Sequence, residues 1–124
     1  MTKFRVKRII IIDDDQDNAD LLAILLQRMG ALVNVFYDVQ AAIDSISDCV
    51  PDIIFIDIKM PEINGYRAAK LIRNNFNIET GMIIVALSGM TAQSDKALAF
   101  ISGFDIYLTK LTSFDSLKRI IYSK

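Results

Sequence analysis

Four apolar runs in this chain end abruptly on polar residues. Ile9 to Ile12 meets Asp13-Asp14-Asp15, and Ile53 to Ile56 meets Asp57. Ile83 to Leu87 meets Ser88-Gly89, and the shorter Ile106 to Leu108 meets Thr109-Lys110. Unbroken, isoleucine-rich runs of this length predict strands buried on both faces of a parallel sheet. Their carboxyl ends share one sheet edge, where open α/β folds bind ligands. The pattern therefore predicts carboxylates, a hydroxyl and an ammonium gathered in one small place.

Between the runs the spacing becomes helical. Asp17 is a candidate cap with Asp20 at the third position, Leu21, Leu22, Leu25 and Met29 form a stripe, and Gly30 is a helix stop. Leu32 to Phe36 predicts a second strand, and Val39 to Ser47 a helix through Ala42, Ile43 and Ile46. Asn64 or Gly65 begins a helix carrying Ala68, Ala69, Leu71 and Ile72, which Asn74-Asn75 ends. Ala92 to Ile101 predicts a helix ended by Gly103. Ser113 to Tyr122 predicts the last helix, capped by Thr112 or Ser113. Five strands alternating with five helices imply a parallel sheet covered on both faces through right-handed crossovers. We expect an α/β, flavodoxin-like (βα)5 three-layer sandwich with strand order 2-1-3-4-5, whose switch point falls between the first and third strands.

Composition narrows the chemistry. At 124 residues, 52% hydrophobic, with a net charge of −1, the chain suits one compact domain and not a strongly basic nucleic-acid binder. The basic cluster Lys3, Arg5, Lys7 and Arg8 reads as a solvated strand entry. No run is long enough to span a bilayer, and no leader-like segment opens the chain. The lone Cys49 has no partner for a disulfide, so a cytoplasmic, reducing setting is expected. The chain contains no histidine, which removes Ser-His-Asp and Cys-His catalysis and histidine-based zinc sites. A hard cation on carboxylate oxygens is what remains.

An acidic run alone is usually a solvated loop, and a lone aspartate after a strand usually starts a turn. Their coincidence at four strand ends is what points to a site. Carboxylates crowded at one edge repel each other unless cations sit among them. Mg²⁺ held by one or two carboxylates and completed by water or phosphate is the ordinary solution. With Lys110 opposite and Ser88 as a hydroxyl donor, the set suits a phosphoryl group that a carboxylate could attack.

The stretches Ile10-Ile11-Ile12-Asp13-Asp14, Asp57-Ile58-Lys59-Met60-Pro61-Glu62-Ile63-Asn64-Gly65, Leu87-Ser88-Gly89 and Tyr107-Leu108-Thr109-Lys110 resemble the receiver domain of two-component response regulators. The resemblance covers nearly the whole chain, and Asp57-x-x-Met60-Pro61-x-x-x-Gly65 is its most specific part. It implies that Asp57 accepts a phosphoryl group from a phosphohistidine on a histidine kinase or histidine phosphotransfer protein. It further implies that Mg²⁺ is held by Asp13, Asp14, Asp57 and the backbone carbonyl of Lys59, with Asp13 acting mostly through water. Ser88 and Lys110 would grip the phosphate, and Ser88 with Tyr107 would act as the switch that remodels a face for a downstream protein. Kinase-type partners would dock on an exposed apolar patch near the first helix.

The sequence departs from the family pattern at Ser88, where threonine is commoner, at Gly89, where alanine is frequent, and at Leu111, where proline usually follows the lysine. Before leucine a cis bond would cost roughly 2.5–4 kcal/mol, so a trans Lys110-Leu111 peptide is expected. The residues disfavour two other readings. A haloacid-dehalogenase-type phosphatase needs a second aspartate where Lys59 stands, and a flavodoxin-like FMN binder would meet repulsion from Asp13-Asp14-Asp15. We expect one receiver-like domain over 1–124, without an effector or DNA-binding domain, without enzymatic turnover of a separate substrate, and without direct nucleic-acid or membrane contact.

Overall fold

The structure, a computed structural model, describes residues 6–60, 64–76, 81–89, 93–109 and 114–122, with the backbone alone at 93–96 and 114. Its elements are β1 (Arg8–Ile12), α1 (Gln16–Arg28), β2 (Leu32–Phe36), α2 (Val39–Asp48) and β3 (Ile53–Asp57). They continue as α3 (Gly65–Asn75), β4 (Ile83–Ser88), α4 (Gln93–Ser102), β5 (Ile106–Thr109) and α5 (Phe114–Ile121). The strands form one parallel sheet in the order β2-β1-β3-β4-β5, as the alternation predicts.

Successive strand residues point to opposite faces, and both faces are covered. Ile10, Ile12, Ile54, Ile56, Ile84 and Ala86 pack with α2, α3 and α4. Ile9, Ile11, Ile53, Phe55, Val85 and Leu87 pack with α1 and α5. This double coverage explains why the runs show no polar alternation. Each isoleucine so buried contributes roughly 1.5–3 kcal/mol of transfer free energy, and the two layers together hold the three central strands in place.

At the amino edge of the sheet, two aspartates extend the ladders. Asp52 accepts the Arg8 amide at 2.8 Å, and Asp105 accepts the Ile84 amide at 2.8 Å. Each carboxylate satisfies an amide near the start of a strand. Gly30 and Gly103 stop their helices with φ of 96° and 116°, a conformation that side-chain-bearing residues rarely adopt.

The structure corrects the expected start and face of α1. Its cap is Asp15, not Asp17: Asp15 Oδ1 accepts the Asn18 amide at 3.2 Å. The buried face is Ala19, Ala23, Leu26 and Met29, while Leu21 is 58% exposed. Small alanines let the helix lie close on β1 and β2, and that contact turns the bulkier leucine outward. Asp38 caps α2 and Asn64 caps α3. Ala92, Thr112 and Ser113 lie outside the described residues. Among the described residues, no helix is long and apolar enough to cross a membrane.

Candidate functional site

The strand order decides which side chains meet. β1 and β3 are neighbours with Ile12 opposite Ile56, so the residues that follow, Asp13 and Asp57, emerge side by side. The Asp13 amide still donates to Phe36 at 3.1 Å, which holds it at the end of the ladder. Carboxylate oxygens of Asp13, Asp14 and Asp57 all lie within 4.8 Å of one another. Asp13 and Asp57 are each 2% exposed, whereas Asp14 faces solvent. The site is thus a buried acidic pair with one carboxylate at the rim.

Backbone amides partly offset the negative charge. Asp13 Oδ1 accepts from the Asp15 amide at 2.9 Å, and Asp57 Oδ1 accepts from the Lys59 amide at 3.2 Å. A charged group taken out of water needs such partners. Ser88 closes β4 beside Asp57, is 3% exposed, and pairs in register with Thr109 of β5. Lys110, the next residue, lies outside the described residues, as does the Lys110-Leu111 peptide. Gly89 is exposed, and a Cβ there would meet nothing within 4 Å, so open space flanks the hydroxyl. Tyr107 is half-buried against the layer of α2, α3 and α4.

The turn after Asp57 is drawn tight by α3. The Gly65 amide donates to the Ile58 carbonyl at 2.7 Å. A Cβ at Gly65 would stand 2.6 Å from the Asp57 carbonyl oxygen and 2.6 Å from Ile58 Cα. No side chain fits that gap, so glycine here sets the path of the chain past the acidic pair. The sequence marks Gly65 as a helix start and as the end of the Asp57-x-x-Met60-Pro61-x-x-x-Gly65 stretch; its close approach to Asp57 requires the fold. Lys59 is exposed, and Met60 packs against the α2, α3 and α4 layer. Pro61, Glu62 and Ile63 lie outside the described residues.

A second feature at this edge went unread in the sequence. The Tyr37 hydroxyl donates to Asp20 at 2.9 Å, tying the turn after β2 to α1. Its hydrogen bond to that carboxylate, which needs the phenolic proton, raises the phenol above its ordinary pKa of 10.0, and desolvation and charge repulsion add to the rise. Beside it, Leu21 and Ile24 of α1 are 58% and 47% exposed, which supplies the apolar patch expected near the first helix.

The donor set is all oxygen, converging, and net negative, which suits a hard divalent cation and no soft one. Two buried carboxylates that close repel each other, and a cation between them offsets that repulsion, so the residues fit Mg²⁺.

Comparison with known proteins agrees with this geometry. Residues 9–122 match the response regulator receiver domain family. The chain is 36% identical over 110 residues to protein PilG of Pseudomonas aeruginosa, covering 89% of this chain and 81% of that protein. It is 33% identical over 102 residues to an uncharacterized 14.6 kDa protein of Leptolyngbya boryana, covering 82% and 77%. Among solved structures it is similar to a two-component response regulator from Clostridium difficile, with a TM-score of 0.83, 29% identity and coverage of 93% and 92%. It is similar also to a chain in the co-crystal structure of the Saccharomyces cerevisiae histidine phosphotransfer signaling protein Ypd1 and the receiver domain of its downstream response regulator Ssk1. There the TM-score is 0.84 with 27% identity, over 97% of this chain and 89% of that one. With its strand order, its acidic edge and a family match across nearly its whole length, this chain belongs to the receiver domains of response regulators.

Proposed function

We propose that this chain is a phosphoryl-accepting switch: Asp57 takes a phosphoryl group from a partner phosphohistidine and the protein then presents an altered face to a downstream protein. The observation that carries this is the convergence of Asp13, Asp14 and Asp57 within 4.8 Å, with Asp57 buried at the end of the central strand. A carboxylate oxygen of Asp57 attacks phosphorus, the bond from phosphorus to the donor imidazole nitrogen breaks, and the imidazole takes up a proton as it leaves. The product is an acyl phosphate, which water cleaves back to aspartate and phosphate. The chain has no histidine of its own, so a histidine kinase or histidine phosphotransfer protein must supply the donor. Leu21 and Ile24 on α1 offer that partner an apolar seat.

Asp13, Asp14, Asp57 and the Lys59 carbonyl would hold Mg²⁺, which supplies positive charge for the equatorial phosphoryl oxygens. Ser88 then donates to a phosphoryl oxygen, and Lys110 pairs with another. Drawing the Ser88 hydroxyl toward the phosphoryl group frees space behind it, and Tyr107 moves inward to fill that space. A covalent charge acting on a bistable loop is an established kind of switch. No separate substrate is turned over. The exposed thiol of Cys49 suits a reducing cytoplasm.

Incubation with acetyl phosphate and Mg²⁺, followed by mass spectrometry, tests the acceptor. One phosphoryl group on Asp57 is expected, with none on Asp57→Asn. Equal labelling of that variant, or labelling at another residue of the wild type, would sink the proposal.

A further inference from the structure

Helix α3 carries charge of one sign. It holds Arg67, Lys70 and Arg73 and no acidic residue, in a chain whose net charge is −1. Arg73 is engaged internally. Its guanidinium donates from Nε to the Gly103 carbonyl at 3.0 Å, from Nη1 to the Met82 carbonyl at 3.1 Å, and from Nη2 to Asp105. Arg67 and Lys70 are exposed, and among the described residues neither side chain meets a carboxylate. Two cations on one helix therefore stand without counter-ions among the described residues.

Beside Lys70 the chain leaves a groove of about 410 Å³ between α3 and α4, with Lys70 on one wall and Phe100 and Ile101 on the other; Asp105, paired with Arg73, also lines it. Phe100 is 50% exposed and Ile101 77%, while Phe104, which also lines the groove, is 3% exposed. The floor is rigid. Arg73 joins α3 to the turn between α4 and β5, and a Cβ at Gly103 would stand 2.8 Å from Arg73 Cγ. A preformed groove loses little entropy on binding. Met82 and Asp105 precede β4 and β5, so this groove opens at the amino edge of the sheet, opposite Asp57.

We propose that the groove docks an acidic segment of a partner protein that carries an apolar anchor. The anchor lies against Phe100 and Ile101, and the flanking carboxylates meet Lys70 and Arg67. Charge complementarity selects this occupant. Two exposed cations are too few to track a phosphate backbone, and a concave groove between helices does not match a flat lipid surface. Because the groove and Asp57 lie at opposite edges, a partner seated here leaves the acceptor open to its phosphodonor.

The test is an amide chemical-shift titration of the intact protein with a short amidated peptide of glutamates around a leucine–phenylalanine centre. Shifts should cluster on the second half of α3 and the carboxyl half of α4, and should weaken as salt is raised. Arg67→Glu combined with Lys70→Glu should weaken binding about tenfold, and Ile101→Ser should weaken it with the charges intact. These surface variants should keep the wild-type spectrum elsewhere and should still be labelled by acetyl phosphate. The proposal is overturned by no saturable shift, by equal binding of a lysine version of the peptide, or by wild-type affinity in the double variant. Binding to a DNA duplex or to phosphatidylserine vesicles with the peptide ignored would overturn it as well.

Discussion

A methyl group at position 65 would stand 2.6 Å from both the Asp57 carbonyl oxygen and Ile58 Cα. Both neighbours are backbone, so nothing flexible can yield. Gly65→Ala should therefore lose about 1–3 kcal/mol, read as a lower urea midpoint, and should slow Asp57 labelling because the acceptor turn is displaced. A variant with wild-type midpoint and rate would show that the turn has slack. Asp14 behaves oppositely. It is exposed at the rim of two buried carboxylates, and removing it relieves repulsion. Asp14→Ala should keep or raise the unfolding midpoint while losing Mg²⁺-dependent labelling; a variant that loses both would mark Asp14 as structural. Tyr37 makes stability depend on pH only in the alkaline range. Its raised pKa means that its stabilisation is complete below 10.0 and is lost as pH rises through the folded value.

At the scale of elements, capping and stapling decide where helices sit. Asp15 belongs to the acidic run but serves α1, accepting the Asn18 amide. Asp15→Ala should cost about 1 kcal/mol in chemical denaturation, and no measurable loss would remove its role as cap. Arg73 ties the end of α3 to Met82, Gly103 and Asp105 with its side chain 14% exposed. Arg73→Ala leaves two carbonyls without that donor and Asp105 without its cation, so a loss of about 2–3 kcal/mol is expected. Asp105→Asn should cost less, because an amide oxygen can still accept from Ile84. Reversal of that order in denaturation curves would mean that Asp105 matters chiefly through its charge.

At the scale of the molecule, the two edges of the sheet differ: the acidic cluster proposed as the acceptor site lies at the carboxyl edge, clamps and an open groove at the amino edge. Excess chelator should abolish labelling by acetyl phosphate, and restored Mg²⁺ should recover it; undiminished transfer in chelator would remove the acidic cluster from the chemistry. Ile24→Asp on α1 separates docking from catalysis. Transfer from a phosphohistidine protein should fall while labelling by acetyl phosphate is unchanged, and a parallel fall in both would show damage to the site itself.

Strand existence, helix alternation and strand order were legible in the chain, because a strand buried on both faces must be apolar throughout and a parallel sheet needs crossover helices. The meeting of Asp13, Asp14 and Asp57 was legible for the same reason, since each ends or follows a strand of known position. What faces where was decided by the fold. Leu21 looked like core and is 58% exposed, because the close packing of Ala19 and Ala23 sets the face of α1 and no hydrophobicity pattern ranks alanine above leucine. The Gly65 contact, the Tyr37–Asp20 bond and the Arg73 staple join residues 7 to 32 positions apart. Sequence determined the elements and the chemistry at their ends; tertiary structure alone decided these long-range contacts, because their energies exist only once the sheet has brought distant segments together.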